Sequence, residues 1–103
     1  MNATEQLTVP QIIAKQIGGR AFYMMGTMSK IGDGNTLIFN LRGSPKHISK
    51  IRVTLDPSDT YTLEFWRGAI GKHPAKLETS ISGVYAEGLN QAIEHHTMLA
   101  LSL

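Results

Sequence analysis

Residues 48–66, with the sequence ISKIRVTLDPSDTYTLEFW, contain two segments in which apolar and polar side chains alternate. Successive side chains of a β-strand leave opposite faces, so each segment predicts a strand with one apolar face and one polar face. Residues 56–60 between them include a proline and two aspartates. These residues are typical of turns, because proline fixes φ and aspartate can bond nearby backbone amides. The stretch therefore predicts a β-hairpin.

The alternation also predicts the register of this hairpin. Pairing Leu55 with Tyr61 leaves a five-residue loop, which is an accepted length for a hairpin. A shift by one residue would place apolar side chains opposite polar ones, so the parity of the pairing is fixed. The further predicted pairs are Val53 with Leu63, Ile51 with Phe65, Arg52 with Glu64 and Lys50 with Trp66. We expect one face of the hairpin to form core and the other to face water.

Helices are predicted on both sides of this hairpin. Thr8 fits an N-cap with Gln11 at the capping-box position, and the glycines at 18–19 end the helix as a left-handed cap would. Near the other end, residues 85–97 place apolar side chains on one helical face, with Gly88 as a weak position. The sheet is therefore expected to have a helix before it and a helix after it.

Further strands are predicted at residues 20–28, 36–42 and 77–84, with a turn at 30–35 and a loose lead-in at 1–7. The methionines of the first of these strands are expected to fill the core. This order of elements favours an α+β domain that comprises the whole chain, residues 1–103. The expected architecture is an antiparallel sheet of four to five strands in a meander, with an N-terminal and a C-terminal helix packed on one face.

The composition is that of a globular protein, with 42% hydrophobic and 17% charged residues. Cysteine is absent, which excludes disulfides, thiolate metal sites and cysteine nucleophiles. The longest apolar run, residues 21–25, is too short to cross a membrane, and the first residues lack the apolar core of a signal peptide. We therefore expect a cytoplasmic protein without membrane contact.

Positive charge is concentrated in the middle of the chain. Residues 42–76 contain seven Lys or Arg against three acids, although the formal charge of the whole chain is only +2. The alternation of the strands places several of these cations and the only tryptophan on or beside the exposed sheet face. The candidate binding residues are Arg42, Lys50, Arg52, Trp66 and Arg67, with His47 at the edge.

Several sheet modules bind nucleic acid in this way, with cations that contact phosphates and an exposed aromatic side chain on which bases stack. The alternative is a solvated face whose Trp66 is covered by Lys50 and by the loop after Gly68. A single tryptophan is fewer aromatics than such platforms usually have, which favours this alternative. Both interpretations stay open on the sequence alone.

No pattern in the sequence indicates catalysis, a metal or a cofactor. Adjacent His95 and His96 would point about 100° apart on a helix and cannot share a metal as an i, i+4 pair can. His47 and His73 lie in or beside loops, with no carboxylate at ligand spacing to complete a site. The Gly-rich turns lack the Lys-Ser/Thr of a phosphate loop. We therefore expect a protein that is not an enzyme and binds neither metal nor cofactor.

Several segments resemble small proteins encoded by phages, prophages and other bacterial mobile elements. The resemblance spans most of the chain and consists mainly of core, turn and cap residues. The matching segments are QIGGRAF at residues 16–22, MMG at 24–26, LIF at 37–39, IRVTL at 51–55, DTY at 59–61, EF at 64–65, VYA at 84–86 with Leu89, and the ending at 99–103. The resemblance implies a phage-type accessory protein in the cytosol of a bacterial host, and it supplies no catalytic residues.

These observations predict a small accessory protein that acts by binding, in the first place to nucleic acid through the basic sheet face. The alternative is a protein-binding inhibitor or modulator of a host system, for example a host-defence system. The partner is therefore either nucleic acid or a host or phage protein. A homodimer is compatible with either function.

Overall fold

The predicted hairpin forms the middle of a five-stranded antiparallel sheet whose strands lie in chain order. The computed structural model describes residues 7–68 and 74–101. The helices are α1 (Val9–Ile17), α2 (Gly19–Met25) and α3 (Leu89–Thr97), the last preceded by a 3₁₀ turn at Ala86–Gly88. The strands are β1 (Lys30–Asp33), β2 (Thr36–Asn40), β3 (Ile48–Leu55), β4 (Tyr61–Arg67) and β5 (Lys76–Val84). The predicted α+β meander is confirmed, including its fifth strand. Apart from Leu7, the predicted lead-in lies outside the described residues.

The register of β3 and β4 is the predicted one. All five predicted pairs occur, from Leu55 with Tyr61 to Lys50 with Trp66. In the turn, the Asp56 amide donates to the Thr60 carbonyl at 2.8 Å, and Asp59 has a φ of 66°. The Asp56 carboxylate accepts from the Thr62 hydroxyl at 2.6 Å. The sequence had instead predicted that the aspartate side chains bond to backbone amides.

The first helix begins at the predicted cap. The Thr8 amide donates to Gln11 Oε1 at 2.8 Å, and the Gln11 amide donates to Thr8 Oγ1 at 3.3 Å. This reciprocal pair is a capping box. Gly18 ends the helix with the expected positive φ of 92°, but its ψ of 149° is extended. The chain therefore leaves α1 and starts a second helix directly.

The prediction of a strand at residues 20–28 is wrong, because α2 occupies most of this segment. Ala21, Phe22 and Met25 are buried, whereas Tyr23 is 84% exposed. That spacing is the buried stripe of a helix. A short apolar run cannot distinguish a strand from a buried helix by periodicity alone. The methionines are only partly core, since Met25 is fully buried and Met28 is 75% exposed.

The predicted turn at residues 30–35 is mostly strand. β1 pairs with β2 from Lys30 opposite Phe39 to Asp33 opposite Thr36, so only residues 34 and 35 turn. Gly34 has a φ of 61°, which suits a two-residue hairpin turn. All four β1 residues are exposed, so this edge strand lacks the alternation of buried and exposed side chains from which strands are predicted.

The predicted helix at residues 85–97 begins later than expected. Tyr85 is extended and 65% exposed, and Gly88 is the N-cap of α3. Glycine is a poor helix residue, and here the regular helix starts just after it. Leu89 and Ile93 are fully buried on the predicted face.

One hydrophobic core lies between the sheet and the helices, which all pack on the same face. Asn90 in α3 donates to the Ile17 carbonyl at the end of α1 at 2.9 Å, and Tyr61 in β4 donates to Gln16 Oε1 in α1 at 2.7 Å. These bonds tie the helices to each other and to the sheet. The core residues at 1% exposure or less are Ile13, Met25, Phe39, Ile51, Val53, Leu63, Phe65, Leu89 and Ile93.

A helix long and apolar enough to cross a membrane is not found in the described parts of the chain.

Candidate nucleic-acid interface

The sheet face opposite the helices, here called the outer face, carries the alternate residues of each strand. Asn40, Lys50 and Trp66 lie opposite one another on β2, β3 and β4, and Leu77 of β5 lies beyond Trp66. The next row contains Ile31, Ile38, Arg52, Glu64 and Ser80 on the five strands. No helix of the described residues covers this face.

A shallow depression of about 180 Å³ lies on the outer face between β2 and β4. Its lining residues are Ile38, Lys50, Arg52, Trp66 and Ala75. Ile38 and Trp66 supply the apolar sides, and the two cations lie between them on β3. We call this feature the outer-face depression. It brings together three of the five binding residues that the sequence predicted.

The Trp66 side chain is partly buried and held by a hydrogen bond. Its indole Nε1 donates to Glu64 Oε1 at 3.2 Å, between residues two apart on β4. Lys50 and Ala75 line the depression with the indole, and residues 69–73 of the loop expected to cover Trp66 lie outside the described residues.

The two cations of the depression lack a carboxylate partner in the described residues. Lys50 and Arg52 are both exposed. Among the described residues, no carboxylate oxygen lies within 4.0 Å of the charged nitrogens of either side chain. Glu64 lies opposite Arg52 in the register, but it accepts the indole hydrogen bond of Trp66.

Arg42 lies apart from the depression. Its amide donates to the Met25 carbonyl at the end of α2 at 2.8 Å, and its Nη1 lies 3.7 Å from Met28 Sδ. β2 ends at Asn40, so the sheet alternation that predicted the direction of Arg42 no longer applies. Arg42 is exposed beside the connection between α2 and β1.

Arg67 was expected at the edge of the basic face, and the structure places it on the other side of the sheet. It lies opposite the buried Ile48, and its Nη2 forms an ion pair with Glu78 Oε2 at 3.0 Å. It follows Trp66 directly, and successive strand residues point to opposite faces. His47, which has a φ of 63°, lines the same helix-side cleft as Arg67.

The histidines do not assemble a metal site in the described residues, where no group of three metal-ligating side chains occurs. His73 lies outside those residues. The His96 ring lies 4.8 Å from the Phe65 ring and 4.9 Å from the His95 ring. Burial, followed by the positive charges of His95 and Lys46, lowers the pKa of His96 below its ordinary value of 6.5.

Sequence reasoning missed a cleft at one end of the sheet, where Lys46 and His47 meet Arg67 and His96. The 43–48 connection and the end of α3 are held together by Ser44, whose hydroxyl donates to the Thr97 carbonyl at 2.8 Å. These two segments are about fifty residues apart, and no local pattern links them.

No protein-family model matches the chain, and neither a curated protein nor a solved structure matches it. The resemblance to proteins of phages and mobile elements therefore stays a prediction.

Proposed function

We propose that the chain is a small phage-type accessory protein of the bacterial cytoplasm that acts by binding single-stranded nucleic acid on its outer face. The observation that carries this proposal is the outer-face depression. There Lys50 and Arg52, both exposed and without a described carboxylate partner, lie between Ile38 and Trp66. The arrangement offers an aromatic surface to a base and cations to the adjoining phosphates.

The spacing of the two cations suits an extended strand. Lys50 and Arg52 are two residues apart on β3, so their Cα atoms are separated by about 6.6 Å along one face. Their long side chains can contact successive phosphates while Trp66 stacks with a base. Phosphate contacts supply affinity, and stacking on an aromatic ring tolerates any base. We therefore expect binding with little sequence preference.

A single strand fits this site better than a duplex. The depression is concave and, at about 180 Å³, is small, so that it suits one unstacked base. Bases within a duplex are stacked on their neighbours and are not available to Trp66. Single-stranded DNA or RNA should therefore bind more tightly than double-stranded DNA of the same length.

A charge-reversal pair provides the main test. Lys50→Glu with Arg52→Glu should abolish binding of a labelled single strand at low salt, while thermal melting shows that the fold survives. The matched control is Lys15→Glu with Arg20→Glu, which changes the net charge equally at exposed positions of α1 and α2. If both pairs weaken binding equally, the attraction is that of overall charge and the outer face is not the site.

Salt dependence and Trp66 test the two parts of the site separately. Affinity of the unmodified protein should fall steeply as salt rises, because bound phosphates release counterions. Trp66→Ala should weaken binding by about 1 to 3 kcal/mol if a base stacks there, and Trp66→Phe should restore part of that loss. A protein that fails to shift any single strand at low salt and micromolar concentration would refute the nucleic-acid proposal.

A protein partner on the same face is the second candidate, as in an inhibitor or modulator of a host system. Two exposed apolar residues favour it, since Ile31 is 57% exposed and Leu77 is 41% exposed at the two edges of the outer face. Binding of a protein would show weaker salt dependence and would lose affinity when Leu77 or Ile31 is changed to Ser. A single strand bound across β3 should be less sensitive to these two changes than to Trp66→Ala.

A further inference from the structure

A second site lies on the helix side of the sheet, between the 43–48 connection, the end of β4 and the end of α3. We call it the end cleft. It has a volume of about 430 Å³, and a neighbouring space of about 320 Å³ shares His47, Ile48 and Arg67 with its lining. The residues that carry the argument are Lys46, His47, Ile48, Arg67, Glu78 and His96, all of which line the larger space.

The walls of the end cleft are fixed by hydrogen bonds. The buried Ser44 hydroxyl donates to the Thr97 carbonyl at 2.8 Å and accepts from the Lys46 amide at 3.2 Å. The His47 amide donates to the Ser44 carbonyl at 2.9 Å. On the opposite wall the His96 ring lies 4.8 Å from the ring of Phe65, which is fully buried. These contacts fix the backbone that carries Lys46 and His47, and they place the His96 ring against the core.

The charges around the end cleft favour an anion. Lys46 and Arg67 are the basic side chains of the lining, and the imidazoles of His47 and His96 lie in the same lining. The carboxylate of the lining is Glu78, which is paired with Arg67 at 3.0 Å. On the α3 side, His95 adjoins His96, and the Glu94 carboxylate accepts from the Leu101 amide at 2.8 Å. An arginine beside histidine and lysine suits the oxygens of a phosphate group.

We propose that the end cleft binds a phosphate monoester, with its phosphate between Lys46, Arg67 and His96 and its attached group against Ile48 and Met98. The volume accommodates a group of the size of a nucleotide, and both Ile48 and Met98 line it. The bound ligand is either a free nucleotide or the 5′-phosphate end of a strand, since both present the same dianionic group. The site is separate from the outer-face depression and does not depend on it.

The first test measures the binding of AMP, adenosine and inorganic phosphate to the full chain. Calorimetry gives the affinities, and the NMR signals of His96 show whether the ligand binds in the end cleft. AMP should bind, inorganic phosphate should bind more weakly at the same signals, and adenosine should not bind. Adenosine binding as tightly as AMP would overturn the proposal, as would AMP binding that leaves the His96 signals unchanged. A short strand with a 5′-phosphate, compared with its 5′-hydroxyl form, distinguishes the two sources.

Substitutions that weaken AMP binding and one that tightens it test the role of the basic groups. Lys46→Gln with Arg67→Gln should weaken AMP binding by about tenfold or more, because two charge-assisted contacts are lost. Lys15→Gln with Arg20→Gln removes the same charge elsewhere and should leave AMP affinity unchanged. Glu78→Gln releases Arg67 from its ion pair and should tighten AMP binding several-fold. An equal loss in the two double variants, or weaker binding in Glu78→Gln, would contradict the proposal.

A titration with sulfate gives a readout that a purely structural role of these residues would not produce. Sulfate keeps its double negative charge over the pH range in which histidine titrates. Its binding should raise the pKa of His96 measured by NMR, and Arg67→Gln should reduce that rise. A His96 pKa that is the same with and without saturating sulfate would show that the anion lies elsewhere.

The two proposed sites can be tested independently. In the Lys46→Gln, Arg67→Gln variant, single-strand binding on the outer face should persist, so failure of one proposal is distinguishable from failure of the other.

Discussion

The two faces of the β3–β4 hairpin come from the same two strands and differ in what covers them. On the helix side Ile51, Val53, Leu63 and Phe65 are fully buried. On the outer face, the intervening Lys50 and Arg52 are exposed, and Trp66 is only partly buried. Because strand side chains alternate, one face can stabilise the fold while the other is free to bind. Substitutions one residue apart should therefore have very different consequences.

The strongest destabilisation is expected on the helix side. Leu63→Asp buries an unpaired carboxylate in the core and should unfold the chain, because the cost approaches a typical domain stability of about 5 to 15 kcal/mol. Thr54→Asp lies on the outer face and should cost far less, since an aspartate there can still accept from the Thr36 hydroxyl, now 3.0 Å from Thr54 Oγ1. Circular dichroism melts compare the two variants. The reverse order would show that the faces are assigned wrongly.

Thr62→Asp is a less suitable control, although it also lies on the outer face. The Thr62 hydroxyl donates to the Asp56 carboxylate at 2.6 Å, so a second carboxylate there would replace a bond with a repulsion. It should be more destabilising than Thr54→Asp and less so than Leu63→Asp.

A smaller effect is expected where α1 approaches β1. A Cβ atom added to Gly32 would lie 2.7 Å from Pro10 Cβ, and a proline ring cannot move aside easily. Gly32→Ala should therefore destabilise the chain by about 1 to 3 kcal/mol, as overpacked sites do. Urea unfolding would measure this loss. At Gly19 an added Cβ would meet nothing within 4 Å beyond its chain neighbours and its own helix backbone, so Gly19→Ala should be close to neutral. Equal losses in the two variants would contradict the close packing of α1 on β1.

The smallest expected effect is a pH dependence of stability from His96, whose ring packs against Phe65 at the margin of the helix side. Its pKa is lowered by burial first and then by the charges of His95 and Lys46. As pH falls below 6.5, the unfolded chain takes up the proton before the folded chain does, so the free energy of unfolding decreases until the pH passes the folded pKa.

Melting temperatures between pH 7.5 and pH 5, in a buffer without phosphate or sulfate, measure this dependence. His96→Gln should flatten it. His95→Gln should leave most of it, because burial is the larger cause of the shift. A slope that is unchanged in His96→Gln would assign the pH dependence to other groups.

The sequence predicted best the elements whose determinants are local. The Thr8–Gln11 capping box, the turn at 56–60 and the β3–β4 register each depend on residues close together in the chain, and each forms as predicted. Segment 20–28 was misassigned because its apolar run fits either a strand or a helix. As a helix it buries Ala21, Phe22 and Met25 in the common core and leaves Tyr23 exposed, and an apolar run by itself does not specify this arrangement.

The candidate site was predicted in part for the same reason. Lys50, Arg52 and Trp66 lie together because the hairpin register is local, and they line one depression as the alternation implies. Arg42 lies beyond the regular part of the pattern, because it follows the end of β2. Arg67 follows Trp66 within β4, so the alternation itself places it on the opposite face with Glu78.

Local sequence patterns were enough to predict the α+β class, the antiparallel meander, the capped first helix, the exposed Lys50 and Arg52, and the position of Trp66 beside them. These features follow from the period of side-chain alternation and from cap and turn chemistry, which act over a few residues. The helix at residues 19–25 and the cleft shared by Lys46 and His96 become apparent only when the chain is packed. Each of these depends on contacts between segments distant in the chain, such as the Ser44 to Thr97 hydrogen bond, whose partners become neighbours only when the core has formed.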